Sequence, residues 1–221
     1  MERLAHLIDN TLLAPDASPE QINALCDASL RLGCASVCVS PLYVPLAARR
    51  LAGSSVKVCT VIGFPSGAST TATKAFEAAD AVKNGADELD MVLPIGLLKS
   101  GDDEAVRQDV KAVVQAAAGR IVKVILETCL LNDEQIVRAC RLCREAGAGF
   151  VKTSTGFSSG GATEHAVSLM AQTVGGSMGV KASGGIRTRA QALAFLAAGA
   201  TRIGASRTEE ICRGEAEPEG K

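Results

Sequence analysis

The stretch NDEQIVRACRLCREAGAGFVKTS, residues 132–154, contains the unit from which the fold of this chain can be predicted. Its first part has apolar residues at helical spacing, and Gly147 marks the end of that helix. Its second part, AGFVKTS, is a short apolar segment typical of a buried strand. That strand nevertheless carries Lys152, and lysine is rarely buried without a partner.

The same unit recurs along the chain. The segment SPEQINALCDASLRLG begins with a serine suited to cap a helix and a proline suited to its first turn, and it stops at Gly33. Further helical segments precede each later strand. Strands are predicted in eight segments: LIDN (7–10), CASVCVS (34–40), VKVCTVIG (56–63), ADELDMVL (86–93), IVKVILE (121–127), AGFVKTS (148–154), GVKAS (179–183) and TRIGAS (201–206).

Strands that alternate with helices of this length predict βαβ units and a parallel sheet. Eight such units with no linker between them favour a single closed (β/α)8 barrel, the TIM barrel, over an open sheet. We therefore predict one α/β domain over residues 1–212. The remaining residues 213–221, RGEAEPEGK, form a polar C-terminal tail.

Composition restricts the possible partners. Apolar residues make up 47% of the chain, aromatic residues only 3%, and the net charge is −1. Because no basic run occurs, the sequence indicates neither nucleic-acid nor membrane binding. No apolar segment is long enough to span a bilayer, and the N-terminus resembles no export signal. A cytoplasmic protein with a small-molecule substrate is expected.

Eight cysteines could suggest a disulfide framework, but the chain is long and rich in core residues, so it needs none. Cys140 and Cys143 are three residues apart on a predicted helix. Neither a second cysteine pair nor a nearby histidine completes a zinc site. We therefore expect reduced cysteines, no metal and no other cofactor.

In a TIM barrel the chemistry lies at the carboxyl ends of the strands. Polar residues should then fall late in the strands, on the side that alternates inward. The outward positions are apolar, for example Leu89 and Met91, Val151, and Val180. The inward positions predicted in this way are Asp9, Cys38, Asp90, Lys123, Glu127, Lys152 and Lys181.

Inward lysines and carboxylates could also be structural ion pairs that fill the barrel. Two lysines (Lys152 and Lys181), two aspartates and a glutamate that converge on one interior argue against filling alone, because apolar replacements are often at least as stable. Lys123 occurs earlier in its strand than Lys152, so a structural role is expected for it. His6 and His165 lie on helical stretches, where surface or packing roles are expected.

Lys152 and Lys181 fall on neighbouring strands. An amine nucleophile must be unprotonated, whereas a free lysine has a pKa of about 10.4. A second ammonium about 4 Å away contributes on the order of 4 kcal/mol against the charged form, at an effective dielectric near 20. Desolvation acts in the same direction. The pair thus predicts a Schiff-base lysine with a partner, and Asp90 can relay protons through water.

Glycine-rich loops follow the last strands. The segment ASGGIRT follows the seventh strand, and RIGASR ends the eighth. Barrels often bind a phosphate there on backbone N–H groups, although a Gly-Gly pair can also be a plain turn. Phosphate or substrate contacts are predicted at Gly156, Gly184, Gly185, Gly204 and Ser206.

Seven segments together resemble the deoxyribose-phosphate aldolase family: LIDNTLL, VIGFPSG, GADELDMVLPIG, VKVILET, FVKTSTGF, VKASGGIRT and RIGAS. They occur in order over nearly the whole chain. The resemblance implies reversible cleavage of 2-deoxy-D-ribose 5-phosphate into acetaldehyde and D-glyceraldehyde 3-phosphate, without metal. It also implies a homo-oligomer.

The resemblance also implies roles for particular residues. Lys152 would form the Schiff base, Lys181 would be the second lysine, and Asp90 would relay protons. Asp9 would position Lys181. Cys38 and Thr153 would contribute to the substrate pocket.

The chain departs from the family pattern at three places. Asn10 stands where the family usually has histidine, at the expected edge of the site. Arg207 follows Ser206, where small residues are common, and could either contact phosphate or point outward. The tail EAEPEGK lacks the tyrosine that some members bring to the active site, since Tyr43 is the only tyrosine.

Two alternatives remain open from the sequence. The first is another Schiff-base barrel, of the transaldolase or fructose-bisphosphate aldolase kind, although these lack this pair of lysine motifs. The second is a phosphosugar-binding barrel that has lost catalysis. The presence of both lysines and Asp90 argues against that second alternative.

Overall fold

The structure, a computed structural model, describes residues 4–213 as a closed barrel of eight parallel strands. Each strand pairs with its sequence neighbours, and β1 pairs with β8 to close the sheet. The predicted single (β/α)8 barrel is confirmed. The strands are β1 (Ile8–Leu12), β2 (Ser36–Val39), β3 (Lys57–Ile62), β4 (Glu88–Val92), β5 (Ile121–Ile125), β6 (Phe150–Lys152), β7 (Gly179–Ser183) and β8 (Arg202–Ala205).

Helices surround the barrel and connect consecutive strands. They are α1 (Pro19–Leu32), α2 (Val44–Arg50), α3 (Thr71–Lys83), α4 (Ile95–Ser100), α5 (Asp103–Ala116), α6 (Asp133–Glu145), α7 (Glu164–Val174), α8 (Arg189–Ala197) and α9 (Thr208–Arg213). Single 3₁₀ turns occur at Leu4–Leu7, Pro41–Tyr43 and Thr128–Leu130. No helix within residues 4–213 is long and apolar enough to cross a bilayer.

Local sequence explains where the helices begin and end. Ser18, Asn132 and Thr188 each cap a helix, and each takes part in a capping box with a glutamine three residues later. Gly33 ends α1 in the left-handed conformation that glycine adopts without steric cost, as predicted. The short helices α2 and α4 were not predicted, because they have too few turns to show a period.

The strands present two different faces. The outward side chains predicted from the alternation, such as Leu89, Met91 and Val151, belong to one large apolar cluster that they share with the helices. Inside the barrel, a separate small cluster consists of Cys38, Cys59 and Val61, with Leu13 and Phe64 packed against it. The polar interior is therefore enclosed by an aliphatic layer.

The predicted domain boundary at residue 212 falls within α9, whose last residue is Arg213. The polar tail predicted over 213–221 lies, apart from that arginine, outside the described residues. The domain limits themselves stay a prediction.

Candidate active site

Register brings the two predicted lysines to the same level. Lys152 on β6 pairs directly with Lys181 on β7. Both Nζ atoms lie 2.7 Å from the same atom, Oδ2 of Asp90, which comes from β4 across the barrel. All three residues are buried. The Schiff-base lysine predicted from the sequence and its predicted partner thus share one carboxylate oxygen.

The other oxygen of Asp90 is also occupied. Oδ1 accepts a hydrogen bond from Lys123 Nζ at 2.8 Å and one from the Cys59 thiol at 3.1 Å. Burial alone raises the pKa of Asp90, but the ammonium groups of Lys123, Lys152 and Lys181 outweigh that effect. They hold the pKa well below its usual range. Asp90 is therefore ionised at neutral pH and orients three lysines at once.

Asp9 forms the second centre of the network. Its carboxylate lies 2.5 Å from Lys181 Nζ, 3.6 Å from Lys123 Nζ and 2.6 Å from the guanidinium of Arg202. Burial by itself lowers the pKa of Lys181, yet the charges of Asp9 and Asp90 outweigh it and raise that pKa above its ordinary value. Lys181 is consequently a cation at neutral pH, held in place by two carboxylates.

A charge count distinguishes Lys152 from the other basic residues. The network contains four cations, on Lys123, Lys152, Lys181 and Arg202, and three carboxylates, on Asp9, Glu88 and Asp90. Lys123 contacts three carboxylates, Lys181 and Arg202 contact two each, and Lys152 contacts one. Loss of one proton balances the charges, and loss from Lys152 breaks the fewest ion pairs.

A cavity of about 420 Å³ opens above this network at the carboxyl ends of the strands. Its lining comes from the ends of four strands and the loops that follow them: Thr11–Pro15 at β1, Lys152 and Thr155–Phe157 at β6, Ser183–Arg187 at β7, and Gly204–Ser206 at β8. Within residues 4–213, Lys152 is the one member of the charged network that lines the cavity. A carbonyl compound in the cavity therefore meets this amine first.

The far side of the cavity is backbone. Gly184 and Gly185 both have positive φ, at +89° and +81°, which allows the loop after β7 to present its backbone without side chains. A Cβ on Gly161 would lie 2.2 Å from the carbonyl oxygen of Gly184, so the loops after β6 and β7 are in direct contact. Glycine loops of this kind suit an anionic group such as phosphate.

Comparison with known proteins gives the family. Residues 4–214 match the family model described as DeoC/LacD family aldolase. The chain belongs to this family of aldolases. Over 213 residues it is 57% identical to the deoxyribose-phosphate aldolase of Streptococcus gordonii, a match that spans 96% of this chain and 97% of that protein. A Bacillus cereus protein of the same name is 56% identical over 214 residues, or 96% of each chain.

A solved structure of a relative supports the same family. The deoxyribose phosphate aldolase from Aeropyrum pernix, whose structure is described as a unique tetramer, superimposes on this chain with a TM-score of 0.90 and 37% identity. The match covers 95% of this aldolase and 89% of that chain. Fold and sequence therefore lead to the same family, and the protein is an enzyme of the aldehyde-lyase class.

The predicted site residues of this aldolase separate into two layers. Lys152, Gly156, Gly184, Gly185, Gly204 and Ser206 line the cavity. Lys181, Asp90 and Asp9 lie buried beneath it, in contact with one another. Cys38 and Thr153 are also fully buried and do not line the cavity. The Thr153 hydroxyl instead donates to the Ser183 carbonyl at 2.9 Å and ties β6 to β7.

The structure also gives the contacts of Lys123, Asn10 and Arg207. Lys123, expected to be structural, contacts Asp90 directly. Asn10 faces the helices rather than the cavity, since it donates to Ser29 of α1 at 3.0 Å and accepts from Thr208 of α9 at 2.8 Å. Arg207 pairs with Glu210 at 3.1 Å on the surface, so it points outward.

The sequence analysis missed two features of the cavity wall. Arg187 lines the cavity two residues after the Gly184–Gly185 pair, and its position in GGIRT is a usable signal. Phe157 also lines it, and its ring packs edge-on against Phe64 at 5.3 Å between centroids. His165, predicted on the surface, is exposed and pairs with Asp133 at 2.9 Å.

Cysteines and carboxylates in the barrel could in principle hold a metal. In the described part of the chain, the donor atoms of Cys38, Cys59 and Asp90 lie within 4.8 Å of one another, as do those of Asp9, Cys59 and Glu88. Burial raises the pKa of the shared Cys59 thiol well above its usual value, whereas a metal ligand must be a thiolate. A metal ion would also have to displace the lysines from these carboxylates.

Proposed function

We infer that the protein catalyses the reversible cleavage of 2-deoxy-D-ribose 5-phosphate into acetaldehyde and D-glyceraldehyde 3-phosphate, through a Schiff base on Lys152. The observation that carries this assignment is the position of Lys152. It is the cavity-lining amine of a network with one excess positive charge, and it shares the Asp90 carboxylate with Lys181. The names of the relatives from S. gordonii and B. cereus support the substrate.

The reaction begins when neutral Lys152 adds to the aldehyde carbon of the open-chain sugar. The resulting carbinolamine loses water to form an iminium ion. The C3 hydroxyl then loses its proton, the bond between C2 and C3 breaks, and its electrons move to the iminium nitrogen. D-glyceraldehyde 3-phosphate leaves, and the enamine of acetaldehyde remains on Lys152.

Protonation of the enamine carbon and hydrolysis of the iminium then release acetaldehyde. Asp90, acting through water together with Lys181, carries the protons for these steps. Lys181 is held between Asp9 and Asp90, so its ammonium repels a positive charge on Lys152.

Phosphate is proposed to bind at the glycine side of the cavity. Gly184 and Gly185 after β7, Gly204 and Ser206 of β8, and Gly156 after β6 surround this region, and Arg187 adds a positive charge. Binding energy from the phosphate then places C1 of the sugar at Lys152.

Assembly and location follow as further parts of the proposal. A homo-oligomer is supported by the tetramer of the A. pernix relative and by two largely exposed apolar side chains, Leu42 and Phe76. A cytoplasmic location is supported by the eight cysteines, all of which are free thiols.

Borohydride reduction in the presence of acetaldehyde tests the Schiff base. We expect one reduced adduct, located on Lys152 by peptide mass spectrometry. Lys152→Ala should lose the adduct and at least about 10³-fold in turnover, because no other amine of the network reaches the cavity. Its binding of the phosphosugar should stay measurable.

Lys57→Ala is the matched control, since Lys57 is an exposed lysine at the amino end of β3. This variant should keep both adduct and turnover. An adduct on another lysine, or turnover in Lys152→Ala, would refute the assignment. Adducts formed only with dihydroxyacetone-type substrates would instead indicate an aldolase of the fructose-bisphosphate or transaldolase kind.

A further inference from the structure

Glu127 has a strained backbone at the carboxyl end of β5. Its φ and ψ are +57° and +62°, in the left-handed region that side chains with a Cβ rarely adopt. Within residues 4–213 the one other such residue that is not glycine is Ala118, which follows α5 far from the cavity mouth. Strain of this kind persists where the surrounding contacts impose it.

Apart from a Cys129 thiol 3.9 Å from Oε1, the hydrogen bonds to the Glu127 carboxylate come from one residue of the loop after β6. The buried carboxylate accepts hydrogen bonds from the backbone N–H of Thr155, at 3.3 Å to each oxygen, and from the Thr155 hydroxyl. The Thr155 hydroxyl in turn accepts from the N–H of Phe157 at 3.0 Å. One carboxylate therefore fixes both the backbone and the side chain of Thr155.

The chemistry of these partners explains why a carboxylate is used. Thr155 presents two donors, and a carboxylate has acceptors on both of its oxygens, whereas a glutamine would turn its own N–H donors toward one of them. A negative charge beside an anion-binding cavity is electrostatically unfavourable. Its presence here is explained by the geometry that it imposes on Thr155.

The turn so fixed forms one wall of the cavity. Thr155, Gly156 and Phe157 line it between Lys152 and the Gly184–Gly185 loop. Two residues separate these three from the end of the strand that carries Lys152. Their position therefore sets how far the phosphate end of the cavity lies from the reactive amine.

We propose that Glu127 is a positioning residue: through Thr155 it holds the Thr155–Phe157 turn where the phosphate end of the substrate binds. This inference rests on the proposed function, because it concerns binding of the phosphosugar at the same site. Glu127 does not line the cavity, so it acts through the turn.

Glu127→Gln tests the proposal with two substrates, 2-deoxyribose 5-phosphate and unphosphorylated 2-deoxyribose. We expect KM for the phosphorylated sugar to rise about tenfold with kcat within about threefold of the wild type. For the unphosphorylated sugar, kcat/KM should stay within about twofold. An equal loss for both sugars, or unchanged kinetics, would overturn the proposal.

Two further variants distinguish the positioning role of Glu127 from an effect on the stability of the protein. Glu127→Ala and Glu127→Gly both remove the carboxylate, but glycine also relieves the strained φ. The glycine variant should unfold at higher urea than the alanine variant while losing the same phosphate preference. If phosphate preference followed stability instead, the proposal would be wrong. Ala118→Gly, at the other strained position, should alter stability without altering either kinetic constant.

The last experiment traps acetaldehyde on Lys152 with borohydride. Because acetaldehyde has no phosphate, it tests Schiff-base formation independently of phosphate binding. Wild type and Glu127→Gln should form the adduct at the same rate. Absence of the adduct in the wild type would overturn both this inference and the proposed function. Trapping in both proteins together with an unchanged phosphate preference would overturn the role of Glu127 alone.

Discussion

At the scale of single residues, the contacts of Lys152 set it apart from the other amines. It touches one carboxylate and lines the cavity, whereas Lys123 and Lys181 are fully buried and touch three and two carboxylates. The network has one positive charge in excess, and the amine that can lose its proton with the fewest broken ion pairs is the one that substrate can reach. The charge of every carboxylate in the network, even a distant one, should influence how easily that proton is lost.

Glu88→Gln tests this electrostatic coupling. Glu88 contacts Lys123 at 2.6 Å and Arg202 at 3.2 Å but not Lys152. Its loss removes negative charge, which disfavours the ammonium form, so the reactive proton leaves at lower pH. The acid limb of the kcat/KM profile should move down by about one pH unit, the effect of a charge roughly 10 Å away at a dielectric near 20.

Asp109→Asn is the matched control for that profile. Asp109 forms a buried ion pair with Lys74 at 2.7 Å, between α3 and α5, outside the network. Both variants leave a buried cation with fewer partners and should lose stability, by about 3–5 kcal/mol where the pair is broken outright. Only Glu88→Gln should move the pH profile. A profile that stays in place, or moves upward, would contradict the charge count.

At the scale of secondary-structure elements, the loops after β6 and β7 define the glycine side of the cavity. Gly161 and Gly184 approach so closely that a single methyl group cannot be placed between them. The Ala162 N–H also donates to the Gly184 carbonyl at 3.1 Å. These loops are therefore in direct contact, although they belong to different βα units.

Gly161→Ala should separate the two loops. Its Cβ would lie 2.2 Å from a backbone oxygen, which cannot rotate away as a side chain would. We expect a loss of about 1–3 kcal/mol in the free energy of unfolding, measured with urea, together with weaker phosphosugar binding. Wild-type values for both would show that the loops are not in contact.

Gly96→Ala serves as the comparison for this variant. Gly96 lies in α4, and a Cβ there would meet no atom within 4 Å. Alanine is the better helix former, so this variant should gain about 0.5–1 kcal/mol and bind substrate normally.

At the scale of the whole molecule, the ion network joins strands from around the barrel. Asp9 comes from β1, Asp90 from β4, Lys123 from β5, Lys152 from β6 and Lys181 from β7. The network connects strands that are far apart in the sheet order, so it stabilises the closed barrel and not any single pair of strands. Its protonation should thus appear in global unfolding.

The pH dependence of stability has a defined sign. The pKa values of Asp9 and Asp90 are lower in the folded protein than the unfolded value of about 3.9. Their contribution is fully present above about pH 4, and it is lost as pH falls through the folded pKa, because the unfolded chain then binds more protons. The free energy of unfolding should drop by at least about 2 kcal/mol between pH 5 and pH 2.

Urea titrations at several pH values measure this loss. Asp9→Asn, which lacks one of the two carboxylates, should start from lower stability and show a shallower fall. A wild-type midpoint that stays constant down to pH 2 would contradict the lowered pKa values.

Much of the fold could be read from local patterns. The helix–glycine–strand unit, the caps at Ser18 and Gly33, and the outward aliphatic positions are properties of short segments, and the structure has them where they were predicted. The short helices α2 and α4 could not be read, because six or seven residues do not establish a period.

The candidate site was predictable in part for the same reason. Alternation along a strand showed that Asp90, Lys152 and Lys181 face inward. Alternation did not show that Lys123 contacts Asp90, because that contact depends on the register of β4 and β5, in which the two residues are direct partners. The outward role of Asn10 depends on Ser29 of α1 and on Thr208, which is nearly 200 residues away, and no local pattern encodes these contacts.

The amino-acid sequence by itself determined the barrel, the inward lysines and the glycine loops, because periodicity, capping and turn chemistry act over a few residues. The tertiary structure alone decided which charges meet. Closure of the sheet brings Asp9 of β1 to Lys181 of β7, and the register of β6 and β7 sets Lys152 beside Lys181. Ion pairing depends on distances across the barrel interior, so the excess charge that singles out Lys152 exists only in the folded molecule.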